Sequence, residues 1–464
     1  AYHDILEMRL DPGMRIANQE AVLDPGNLIP AFLENYADFF RLFFSEDPDL
    51  MERLEPVLDQ RLSQLEGGDR HSPYYLYCLG TVHFQRALIA IKFGSHITAA
   101  LQIRKSYLEL KENQKDFPSF GANQMLLGSM ETVIGTIPSG YQWAVRILGL
   151  SGTIAGGMQD LESFLKDTDR EARIFQEEGS LYYGYLDFSI ANHPVQALKF
   201  LQGCPMDPTR NELFAMVLIN LAMNRQMGAY AEQVYHNLEM DSSYFHVPLL
   251  DLESGTLEMD RLQLDSSLRE LSKYAFGFKG NFYVSDALLR MSWDELLKGE
   301  KARAAQYLHM ILERKNSITD ADKAARLEAR RGRLPNGVLL RARLLSDGGY
   351  FDQAMDLIQG LHVSDFPDPA DKVEWVYRMG RIEALEGKTS EAIVFYDLAT
   401  RIGGSGSAYF AARAALELGG IYEKGGQKDK ALLFYRKCLD MHEQEYKDYL
   451  DQLAKAGINR ITGD

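Results

Sequence analysis

A glycine, an alanine five residues later and an aromatic nine residues later recur as a set down the C-terminal third of this chain. The full copies are Gly387, Ala392 and Tyr396, and Gly426, Ala431 and Tyr435; Gly299 with Ala304 and Gly349 with Ala354 are shorter ones. Ala354, Ala392 and Ala431 stand 38 and 39 residues apart. Self-similarity at a fixed period of this size marks a stacked repeat, and the repeat constrains the fold more than any other feature here.

Each copy reads as a pair of helices. Gly387 and Gly426 fall where a first helix must stop, because glycine enters the left-handed conformation without a Cβ penalty. Met379, Gly380, Ala392, Tyr396 and Ala399 occupy the packing positions of one copy, and Leu418, Gly419, Tyr422, Ala431, Tyr435 and Cys438 those of the next. Small residues such as Gly380 and Ala392 allow two antiparallel helices to approach closely, and the tyrosines fill the space beside them. One such pair cannot bury its apolar face alone, so pairs must stack. The expected fold is all-α, an α-solenoid of antiparallel helix pairs.

Length and composition agree. A chain of 464 residues exceeds what one globular core holds, whereas a solenoid has no such ceiling. With 46% apolar residues and only 15 prolines it suits a helical protein, and no alternating strand pattern stands out. Asp24-Pro25-Gly26 and Asp47-Pro48 break the first 66 residues, and Ser72 or Pro73 opens the helix after the 67–73 loop. Degenerate copies are expected at Gly94 with Ala99, from Gly179 through Asn192 to Ala197, and at Gly228 with Tyr230. The organisation reads as an N-terminal helical region (1–120), a glycine-rich apolar segment (121–170), divergent helix pairs (171–315) and C-terminal repeats with a capping helix (316–464).

Residues 121–159 hold eight glycines and two charges, Glu131 and Arg146. They read as a buried helical hairpin, with Trp143, Ile147 and Leu148 at core spacings. The alternative is a surface for a membrane or a hydrophobic ligand. No apolar run is long enough for a transmembrane helix. Tyr2 to Leu10 carry charge and amphipathic spacing instead of a secretory leader. A periplasmic place is expected if a leader preceded Ala1, and a cytoplasmic one otherwise.

Thr136-Ile137-Pro138-Ser139, Ile147-Leu148-Gly149-Leu150-Ser151-Gly152, Gly157 and Leu161 resemble the signature of the eukaryotic tetratricopeptide-repeat 39 family, which includes the yeast inclusion-body-clearance proteins. Pro335-Asn336, Arg343-Leu344-Leu345, Asp347-Gly348-Gly349-Tyr350, Tyr377-Arg378, Gly380-Arg381 and the tail Ala454-Lys455-Ala456-Gly457 resemble bacterial tetratricopeptide proteins of unknown function. The resemblance spans roughly 120–464. It implies a helical interaction scaffold, with roles in protein quality control or lipid handling on the eukaryotic side, and no enzyme.

No catalytic constellation accompanies the repeats, and no cofactor or metal is expected. His442-Glu443-Gln444-Glu445-Tyr446 opens like a zinc-protease helix, but Tyr446 stands where a second histidine is required. Gly403-Gly404-Ser405-Gly406-Ser407 lacks the lysine of a phosphate loop. Cys78, Cys204 and Cys438 are far apart and read as small core residues. The net charge of −16 argues against a nucleic-acid partner.

Two features suggest a binding surface. Residues 301–343 carry eleven Lys and Arg, among them Arg326, Arg330, Arg331, Arg333 and Arg341, against four acids. This basic island pairs with acidic repeats of its own chain or receives an acidic partner. In a tetratricopeptide superhelix the first helix of each pair lines the groove, which places Arg343, Tyr377, Arg378, Arg381, Arg413 and Glu423 there. The lysine and asparagine set of the chaperone-tail clamp is missing. The function expected is a noncatalytic scaffold gripping a protein or peptide, preferably an acidic one, in that groove. The alternative is a lipid- or membrane-associated binding protein using 121–159.

Overall fold

The computed structural model describes residues 1–138, 142–314, 318–403, 409–441 and 447–462. Lys315, Ser139, the glycine-serine run from Gly404 and the His442–Tyr446 motif lie outside them. Among the described residues every regular element is helical. The chain divides into two compact units. One comprises Ala1–Leu257, Ser266–Met291 and Tyr307–Arg330, and the other Glu258–Asp265, Ser292–Gln306 and Arg331–Asp464.

In the second unit the repeats form three successive helix pairs: Gly337–Asp347 with Phe351–Ile358, Pro369–Leu385 with Thr389–Gly403, and Tyr409–Lys424 with Lys428–Asp440. Helix Lys447–Thr462 packs on the last pair. First helices also touch one another from pair to pair, so the pairs stack side by side. The α-solenoid of the tetratricopeptide type follows from this packing.

The turn chemistry expected from the sequence holds. Gly349, Gly387 and Gly426 have φ of 88°, 80° and 70°, and a Cβ at Gly387 or Gly426 would meet no atom within 4 Å. These glycines are therefore required by conformation and not by crowding. Gly380 and Gly419 are required for the opposite reason. A Cβ at Gly380 would lie 2.9 Å from the Tyr396 ring, and one at Gly419 2.5 Å from the Tyr435 ring. Both tyrosines and both alanines, Ala392 and Ala431, are fully buried.

The first unit repeats the device less regularly. Ser72 caps the helix Pro73–Lys92, with Oγ accepting from the Tyr74 amide at 3.3 Å, and Gly94 turns into His96–Asp116 at φ 75°. Asn192 stands in for glycine between Gln176–Ser189 and Pro194–Gln202, at φ 62°. Gly228 does not end a helix: it begins Gly228–His236, and Gln226 takes the left-handed turn at φ 53°. Ala231, five residues after Gln226, is fully buried, so the spacing survives without its glycine.

The 121–159 expectation holds only in part. Helix Ala122–Ile134 is buried along most of its length and packs on Ile154–Lys166, where Gly128 and Gly157 meet closely. Trp143 and Ile147, however, are 59% and 74% exposed, whereas Leu148 is half-buried. Their helix, Gln142–Ile147, is six residues long and buries Val145.

Among the described residues of this unit, Glu178, Glu212, Glu253 and Asp322 are buried carboxylates without an ion pair, the last held by the amides of Tyr283, Ser285 and Asp286. Glu178 receives hydrogen bonds from the hydroxyls of Tyr2, Tyr36 and Tyr182, the last two at 2.6 and 2.9 Å, which fastens the N-terminal helix Tyr2–Leu6 to the core. Burial still pushes its pKa up. Among the described residues Glu253 accepts only from Asn220 Nδ2, at 3.0 Å, and its other oxygen has no partner. Burial pushes its pKa up to about 8. Glu212 accepts from the Val247 amide at 3.1 Å through Oε1, whereas Oε2 is unpartnered; burial pushes its pKa up to about 7.

Candidate interaction surface

The first helices of the three C-terminal pairs bring most of the expected arginines together. The 38- and 39-residue steps that align Ala354, Ala392 and Ala431 also align Arg343 with Arg381, and Glu374 and Arg378 with Arg413 and Glu417. Helical spacing then chooses partners four residues away. Arg343 pairs with Asp347 at 3.5 Å, Arg378 with Glu374 at 2.9 Å and Arg413 with Glu417 at 2.9 Å. At equivalent positions the order of charges is reversed: acid then base in helix Pro369–Leu385, base then acid in Tyr409–Lys424.

Aromatic rings set the depth at which each cation lies. Tyr377 is buried against Tyr396 and Phe410, with ring centres 5.7 and 5.3 Å away. Arg378 is also buried, its guanidinium 5.1 Å from the centre of the Phe410 ring and 5.7 Å from that of Tyr377. These two form the floor of the surface and do not reach solvent. Arg343, Arg381 and Arg413 keep partly exposed side chains. The Arg343 guanidinium lies 4.6 Å over the Trp293 ring.

Arg381 differs from its neighbours. Its nearest carboxylate is Asp347, at 3.7 Å and already beside Arg343, and among the described residues its guanidinium makes no hydrogen bond. Burial opposes its charge, but Tyr377, Asp347 and Glu417 outweigh this and raise its pKa. Arg413 is likewise raised against burial, by Tyr377 and Glu417. Both stay charged, and Arg381 does so with donors unspent.

The remaining expected residues lie elsewhere. Glu423 is held by Arg460 of the last helix at 2.8 and 2.9 Å and by the Tyr435 hydroxyl. The Arg460 hydrogen bonds keep its carboxyl below the usual range. Of the basic island, Arg326 and Arg330 belong to the first unit and Arg331, Arg333 and Arg341 to the second. Arg326 donates to the Arg314 carbonyl, and Arg341 to the Leu297 carbonyl at 2.8 Å. Arg333 bridges Asp368, at 2.8 Å, and Asp371. Internal pairing thus occupies Arg326, Arg333 and Arg341.

Sequence reasoning missed Asp347, Glu374 and Glu417 as partners, although four-residue spacing from each arginine could have found them. Nothing local could have found Trp293. Among the described residues no three His, Cys, Asp or Glu side chains could hold a metal ion, and no helix is long and apolar enough to cross a membrane.

No protein-family model matches this chain, and no curated protein matches it. Among solved structures it is similar to the tetratricopeptide-repeat domain of P58(IPK), at 13% identity over 89% of this chain and 96% of that one. The TM-score is 0.22, so this likeness decides nothing about the site.

Proposed function

We propose that this chain is a noncatalytic scaffold whose C-terminal repeats bind a carboxylate-bearing segment of a protein partner. The segment lies across the helices Gly337–Asp347, Pro369–Leu385 and Tyr409–Lys424. Arg381 carries the reading, because a half-buried guanidinium without a hydrogen-bond acceptor gains more from a ligand carboxylate than a solvated one. Arg343 and Arg413 flank it and fix the ligand's orientation, while Tyr377 and Arg378 brace the floor. The acidic remainder of the chain repels the same segment elsewhere. Asp347-Gly348-Gly349-Tyr350 and Gly380-Arg381 support kinship with the bacterial tetratricopeptide proteins, and Thr136-Ile137-Pro138 a more distant one with the tetratricopeptide-repeat 39 family.

The test screens arrayed acidic peptides against the whole chain and titrates the best one against wild type and the Arg343→Ala, Arg381→Ala double variant. Charge-assisted hydrogen bonds contribute about 1.5–3 kcal/mol each, so affinity should fall at least tenfold with little change in Tm. Equal affinity in the double variant would remove these residues from the interface.

A further inference from the structure

A second site, of opposite chemistry, lies in the first unit. A cavity of about 410 Å³ opens among residues 212–250, lined by Glu212, Tyr235, His236, Asp241, Tyr244 and His246 together with apolar Leu238, Met240 and Leu250. No lysine or arginine is among its lining residues. Glu212 is fully buried, and its Oε2 takes no hydrogen bond, although Oε1 is engaged by the Val247 amide at 3.1 Å. An unsatisfied carboxylate oxygen beside a cavity lacks a donor that the protein itself does not supply.

The neighbouring groups specify the donor. His246 Nε2 lies 2.8 Å from Asp251, so that pair carries no net positive charge to repel a cation. Lys273, whose charge acts on His246, is tied to Glu270 at 2.5 Å. The Tyr244 hydroxyl donates to the Arg210 carbonyl at 2.9 Å, which fixes the ring at the cavity. The same ring already accepts a cation within the chain, since the Arg9 guanidinium lies 5.9 Å from its centre. Asp241 adds a second carboxylate on the exposed rim.

We propose that this cavity binds an organic cation, an ammonium or guanidinium group, with Glu212 as its buried counter-charge and Tyr235, Tyr244 and Asp241 around it. The site is independent of the arginine surface in the other unit. A lysine or arginine side chain of a partner and a free diamine share this chemistry.

Three probes distinguish the sources by ligand-observed NMR with the full chain: a blocked Gly-Gly-Lys-Gly-Gly peptide, its norleucine analogue and cadaverine. The lysine peptide or cadaverine should bind, the norleucine peptide should not, and Glu212→Gln should weaken binding at least tenfold. Binding of the peptide assigns the site to a partner side chain, and binding of cadaverine alone assigns it to free amines. Should Glu212→Gln fail to fold, Asp241→Asn on the rim should still weaken binding about threefold. Equal binding of the norleucine peptide, no binding of either cation, or unchanged affinity in the folded variants would overturn the proposal.

Discussion

Replacing Glu253 by glutamine should change how stability depends on pH more than it changes stability at any one pH. Among the described residues Glu253 forms no ion pair; it is buried with one hydrogen bond from Asn220 and one oxygen unpartnered. Burial lifts its pKa from 4.5 to about 8 in the folded chain. Below the lower value both states hold the proton, and burial carries no ionic penalty. Between the two, the unfolded chain releases the proton first, so native stability falls as pH rises, by up to about 1.4 kcal/mol per pH unit. At pH 7 the accumulated loss is about 3 kcal/mol. Above the upper value both states are ionised and the loss levels off. Glu253→Gln abolishes this dependence but leaves an amide face unpartnered, at a roughly constant 1–3 kcal/mol. Urea unfolding of both proteins at pH 5, 6, 7 and 8 gives the difference curve, in which contributions from Glu178 and Glu212 cancel. The variant should be the less stable at pH 5 and gain steadily toward pH 8. Parallel curves would refute the burial argument.

Three further outcomes follow from the packing. Ala392→Leu or Gly419→Leu should overpack a helix crossing and lower stability by about 1–3 kcal/mol or more in denaturant melts, the larger loss falling at Gly419 because even a Cβ there is 2.5 Å from Tyr435. Gly387→Ala should cost about 1–2 kcal/mol through its φ of 80° alone, since nothing lies near the new methyl, and Gly387→Asn should restore part of that. Purified protein should not float with neutral liposomes, because Trp143 and Ile147 are exposed on only six helical residues; flotation abolished by Ile147→Glu would promote the lipid reading.

The C-terminal fold was legible because its demands are local. A left-handed turn at Gly387 and a contact between Gly380 and Tyr396 both leave their mark within twenty residues of chain. Gln226 hid one repeat because a glutamine can take the same turn at a conformational cost, and only the alanine five residues later kept the pattern. The arginine register was legible from the 38-residue step linking Arg343 to Arg381. Their depth was not, because Phe410, which covers Arg378, arrives from the next pair. Glu212 and Glu253 read as ordinary helical acids, since what removes their water comes from neighbouring helices.

The reversed charge order on successive first helices bears on how such an array can grow. Glu374 and Arg378 occupy the repeat positions of Arg413 and Glu417 on touching helices, and each pair is closed within its own helix. A tandem duplication of either repeat would set acid beside acid and base beside base. Such a duplication would therefore place like charges at equivalent positions of touching helices, which this junction avoids.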